Sequence, residues 1–304
     1  MSSCWGPCLR SILVLFCGLV ANVATRAGEA SPAAAWMLLQ QRDHEALRAL
    51  LPALRTQHEA QAEALALALQ AREQGALDEA ALQALQQRFP GDAELQFRAG
   101  QLWLQQARQA SVFTRRSLAK HYIAATLRAA QLAPTHPRLL AEAGVAAGQP
   151  AFFGGDPARQ PGLVQQLSRL DPTYYLIARM DLAQNTQDED AGRRCMDEAE
   201  QRFPDSVLAL SRAANLAWTF GDTGRAQRLF LRSCGLSPGA DDDREWSDWY
   251  ASCYHAAALT LDGEGSAAAA SPVLRRAMAR DRVDDAEHRE LLGMIEQLER
   301  KARS

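Results

Sequence analysis

The chain has 304 residues, with 33 basic and 36 acidic side chains and a formal net charge of −3. A balance this close supplies no basic surface to displace counterions from phosphates, which argues against nucleic acid as a partner. Hydrophobic residues make up 47% and aromatic residues only 7%, and without alternating Val/Ile/Thr runs this composition of helix formers predicts an all-α chain.

Arg10 precedes an apolar run, Ser11 to Ala21, that is short for a bilayer span, and small residues follow at Ala24, Ala27 and Ala30. That pattern predicts a cleaved secretory signal over residues 1–27. A lipid anchor at Cys17 fits less well, because bulky Phe16 stands where such a signal needs a small residue. No second long apolar stretch follows. The expectation is a chain exported across the inner membrane, periplasmic in a double-membraned bacterium, with no membrane span after cleavage.

Residues 28–57 are predicted to form an N-terminal helical cap, with Trp36, Leu38, Leu39, Leu47, Leu50 and Leu51 apolar and Pro52 kinking or splitting it. Beyond it, helical segments close at Pro90, Pro134, Pro172, Pro204 and Pro238, and the last two prolines stand 34 residues apart. The 44-residue interval from Pro90 to Pro134 predicts a longer connection or lengthened helices around Ala110 to Arg116. Arg115, Arg116 and Lys120 read as the solvated face of one helix. In Phe152-Phe153-Gly154-Gly155-Asp156-Pro157, Asp156 is expected to cap a helix that starts at Pro157.

After Pro204, small and apolar residues recur at helical spacing to Phe220, Gly221-Asp222 stops that helix, and a second runs from Thr223 to Gly235. Ala214 and Ala226 are placed where larger side chains would force this pair apart, and Phe230 fills the groove to the next pair. Asp241-Asp242-Asp243 lacks the Gly and distal Glu of a calcium loop and reads as negative charge at a helix start. Cys195, Cys234 and Cys253 remain after signal removal. Cys234 and Cys253 lie on consecutive helices and could bridge, but isolated cysteines on apolar faces read as buried thiols. A terminal amphipathic helix, Ala286 to Arg303, turns Leu291, Leu292, Met294, Ile295 and Leu298 inward and caps the chain over 281–304.

Leu210, Ala213, Ala214, Ala217, Gly221, Asp222, Ala226, Phe230 and Pro238 occupy the small, aromatic, turn and proline places of the tetratricopeptide repeat, which this segment resembles. Gly100 and Trp103 after Pro90, and Gly144 after Pro134, repeat parts of the pattern, so the resemblance covers residues 58–280. It implies a superhelical solenoid of antiparallel helix pairs, about 12–15 helices in all, as in secreted bacterial proteins of this repeat class. The first helix of each pair would line a groove. The family's groove positions fall on Glu94, Phe97, Gln101, Arg138, Leu208, Ser211, Asn215 and Trp218, with Tyr174 opening the repeat between.

The six histidines form no His-x-x-x-His pair, and the chain has neither a Gly-x-Ser-x-Gly turn nor a phosphate-cradling Gly-Lys-Ser/Thr loop. No catalytic residue, metal ligand or cofactor is therefore expected. The resemblance implies a non-enzymatic scaffold that binds a protein or peptide in the bacterial cell envelope. The alternative is a small-ligand-binding repeat component associated with a solute transporter.

Overall fold

The computed structural model describes residues 31–239, 242–279 and 286–303. The expected signal over 1–27, Asp241 and residues 281–285 lie outside them. All regular structure among the described residues is helical, with no strand. The first seven helices are α1 (Pro32–Gln40), α2 (His44–Gln57), α3 (Glu59–Gln74), α4 (Glu79–Arg88), α5 (Ala93–Gln109), α6 (Val112–Leu132) and α7 (Pro137–Ala147). After two short 3-10 turns come α8 (Gln160–Leu167), α9 (Pro172–Thr186), α10 (Glu189–Arg202), α11 (Val207–Thr219), α12 (Thr223–Gly235), α13 (Asp243–Leu261), α14 (Ala267–Met278) and α15 (Ala286–Arg303).

The helix starts follow from local chemistry. Asp43, Asp78, Asp92, Asp171, Asp188, Ser206, Asp222 and Ser266 each accept a hydrogen bond from the amide three residues on. Each satisfies one orphan donor at a helix start, a contribution of about 1 kcal/mol. Gly221, at φ 81°, makes the left-handed turn between α11 and α12. The long interval before Pro134 holds lengthened helices, 17 residues in α5 and 21 in α6. Where they pack, a Cβ on Gly100 would meet Thr126 Oγ1 at 2.7 Å, so any side chain there would displace the buried Thr126. Gly144, its sequence counterpart, has open space instead.

Two expectations need correction. Pro52 does not split the segment; it sits inside α2, and the break falls earlier, at 41–43, where Arg42 takes a positive φ of 61°. Asp156 precedes only a 3-10 turn at Pro157–Arg159 and accepts no capping hydrogen bond.

Apolar side chains collect into two large clusters, one drawn from Ala35 to Ala146 and the other from Leu176 to Leu298. Ala214, Ala226 and Phe230 are wholly buried in the second, as are Leu291, Ile295 and Leu298 of the terminal helix. Helices pack mainly on their first and second neighbours in the chain. The exception is α1, which packs against α13 and so brings the first described helix onto the C-terminal part of the chain.

The cysteine expectation is overturned for one pair. Cys234 on α12 and Cys253 on α13 form a disulfide, while Cys195 is a buried free thiol. Close packing of the two helices holds the Cα atoms 4.8 Å apart, a separation that a disulfide spans, and Trp249 donates its indole N–H to the Cys234 carbonyl. Burial of each cysteine on its own helix therefore gave no sign of the partner. Peptide mapping without reductant is expected to recover the Cys234 and Cys253 peptides joined; separately alkylated peptides would refute the bridge. With the cysteines 19 positions apart in the chain, Cys253→Ser should lower unfolding stability by about 3 kcal/mol under oxidising conditions.

Candidate ligand-binding cavity

Asp243 is the first residue of α13 and is only 5% exposed. Burying a lone carboxylate is costly, so its partners decide whether the fold tolerates it. Arg98 of α5 and Arg138 of α7 both reach it in fork geometry. Arg98 donates from Nη1 at 2.6 Å and Nη2 at 3.1 Å, and Arg138 from Nη1 at 2.8 Å and Nη2 at 3.3 Å. Burial alone would raise the Asp243 pKa, but these bonds and the two positive charges outweigh it and hold the group well below the usual carboxylate range. The sequence had placed Asp243 as simple charge at a helix start. It does stand there, yet it is a buried bridge to residues 145 and 105 positions earlier in the chain.

The guanidinium groups are themselves held. Arg98 pairs with Glu94 at 2.7 Å and lies over the Trp36 ring of α1 at 4.5 Å, and Arg138 lies over Phe97 at 4.9 Å. A second set surrounds Arg244, which pairs with Glu142 at 2.8 Å and approaches Asp248 at 3.7 Å and the Tyr174 ring at 5.7 Å. Arg212 of α11 pairs with Asp181 of α9, whose second carboxylate oxygen makes no hydrogen bond. Burial raises the Asp181 pKa, and Arg212 opposes it. Asp248, 32% exposed, lines the cavity, and desolvation pushes its pKa up to about 6 against the opposing charge of Arg244.

These groups wall a cavity of about 500 Å³, within the size range of small-molecule sites. Its lining carries Arg72, Arg98, Arg108, Arg138, Arg212 and Arg244 against Glu142, Asp181, Asp243 and Asp248. Glu94 and Asp242, outside the lining, also approach Arg98 and Arg138 at 2.7 and 3.7 Å, so the positive character offered to a ligand rests on Arg108 rather than on a net count. Arg108 makes no ion pair with a described residue. Gln101, Gln105 and Arg108 recur along one face of α5, and with Tyr122 of α6 they line the cavity without side-chain hydrogen bonds to the described residues. Burial raises the Tyr122 pKa, so its hydroxyl stays protonated.

Of the positions predicted to line a groove, Phe97, Gln101, Arg138, Ser211 and Asn215 line this cavity. Glu94 anchors Arg98, and Tyr174 lies beside Arg244 and Arg138, its hydroxyl pKa pushed up to about 12 by burial. Leu208 is buried. Trp218 stands apart, 42% exposed, with its ring edge-on to Phe230 and His255. Sequence reasoning missed Arg98, Glu142, Asp243 and Arg244, because only the fold brings them together. Gln105 and Arg108 carried a signal, their helical spacing from Gln101. Among the described residues no group of His, Cys, Asp or Glu side chains could hold a metal ion. Comparison with family models, curated proteins and solved structures returns no match for this chain.

Asp243→Asn is expected to cost about 3 kcal/mol in urea unfolding, because buried Arg98 and half-buried Arg138 lose the carboxylate they share. The depressed Asp243 pKa gives stability that is present above the ordinary carboxylate value and lost as pH falls through the folded one, so the variant should lose that acid-limb slope. Asp248 acts in the opposite sense. Its raised pKa gives stability that is present below about pH 4 and gone above about pH 6. Asp248→Asn should therefore raise the melting temperature at neutral pH relative to the parent protein and change it little at pH 4.

Proposed function

We propose that this chain is a non-enzymatic binding protein of tetratricopeptide-like architecture, a solenoid of antiparallel helix pairs, whose central cavity takes a small polar anion. The observation that carries the reading is the convergence of six arginines and four carboxylates on one cavity of about 500 Å³. Four of the arginines are engaged by carboxylates, and Arg108 is left to offer a guanidinium to a ligand carboxylate or phosphate. Gln101, Gln105 and the Tyr122 hydroxyl supply donors and acceptors for the rest of the molecule. This favours the small-ligand alternative over an extended peptide in an open groove, since Arg98 and Arg138 bridge to Asp243 across the space such a peptide would occupy. A protein partner keeps one supporting feature, exposed Trp218 in the last turn of α11. The Cys234–Cys253 disulfide supports export to an oxidising compartment.

Glutamate, citrate and inorganic phosphate, each added in excess, are expected to raise the melting temperature by mass action, whereas choline and putrescine should not. Titration calorimetry of Arg108→Gln should show affinity for the best anion falling about tenfold or more, the worth of one charge-assisted hydrogen bond. Stabilisation by the cations alone, or anion binding unchanged by that substitution, would reverse the assignment.

A further inference from the structure

The turn between α5 and α6 carries an unusual combination of groups. Val112 and Phe113, the first two residues of α6, are 77% and 94% exposed, and Phe152 on the adjoining loop is 54% exposed. A phenyl ring with almost all of its area in water protrudes from the surface and gains nothing for the fold. Arg116 ties the loop to the helix, donating to the Phe152 carbonyl at 3.1 Å and lying 4.9 Å from its ring, while the stem of Lys120 passes beside Gly154. Arg115, Arg116 and Lys120 are all exposed around these apolar tips.

The charge of α6 matches this protrusion. The helix holds no Asp or Glu but four cations, Arg115, Arg116, Lys120 and Arg128, although the whole protein is net negative. On the surface beside the tips, Asp156 is the one carboxylate of the 151–159 loop.

We propose that this protrusion docks the protein on an anionic lipid surface. Phe113, Val112 and Phe152 would enter the boundary between headgroups and acyl chains, and Arg115, Arg116 and Lys120 would lie at the lipid phosphates. Three side chains on a tip present far less than the roughly 800 Å² per partner of a stable protein interface, so a second protein is poorly served by this shape. A bilayer needs no complementary groove, and its negative surface matches the basic rim. The site is separate from the central cavity, and neither proposal depends on the other.

Hydrogen exchange of the full chain with phosphatidylglycerol-containing vesicles tests it locally. Amides 111–117 should gain protection with these vesicles at low salt, lose it at high salt, and show none with pure phosphatidylcholine. Partitioning through the apolar run at 11–21 would leave those amides unchanged. Phe113→Ser should keep the parent melting temperature, because the ring touches almost nothing, and should abolish the protection. Lys120→Glu should weaken vesicle affinity about tenfold. No protection with anionic vesicles would overturn the proposal. So would protection that grows with protein concentration in the absence of lipid, which would mark a second copy, or equal protection by polyglutamate, which would mark an acidic protein.

Discussion

One buried carboxylate organises the interior. Asp243 opens α13, and two arginines from helices more than a hundred residues earlier share it. Such a pairing contributes little net stability, since the desolvation of three charges offsets most of the attraction. Its effect is on geometry. Any arrangement that separates α13 from α5 and α7 costs Arg98 and Arg138 the carboxylate they share and leaves Arg98 with Glu94 alone, so the alternatives are penalised more than the native state is favoured.

That constraint explains the shape of the cavity. Stacked helix pairs joined only to their neighbours would leave their inner faces open to solvent. Here the inner faces carry charges of both signs, and the contact of α1 with α13 brings them together. The walls are thus built from arginines fixed by carboxylates and aromatic rings, with Trp36 and Phe97 under Arg98 and Arg138. A guanidinium held this way loses little freedom when a ligand arrives, which is the condition for using charge as recognition.

The sequence made the helices legible because their punctuation is local. Asp222, Gly221 and the alanines of α11 act within one turn or one helix pair, and the predicted bounds of α12 agree with the structure. Most groove positions also reached one cavity, since helical spacing alone puts Phe97 and Gln101 on a common face. What one sequence could not carry was pairing at a distance. Nothing near Asp243 marks it as the partner of Arg98, and nothing near Cys234 distinguishes a bridged sulfur from a buried thiol. Pro52 failed for a related reason: the loss of one helical hydrogen bond is a local cost, which the packing of Leu47 and Leu54 on the core overrides.

The separation of 145 residues between Arg98 and Asp243 also bears on how the chain assembles. Helix pairs form from contacts close along the polypeptide and can condense as they emerge, whereas closing so large a loop carries an entropic penalty that only prior order on both sides can reduce. A clasp between α5, α7 and α13 therefore depends on order already present in both helical regions, and the arginine-lined cavity is complete only once α13 meets α5 and α7.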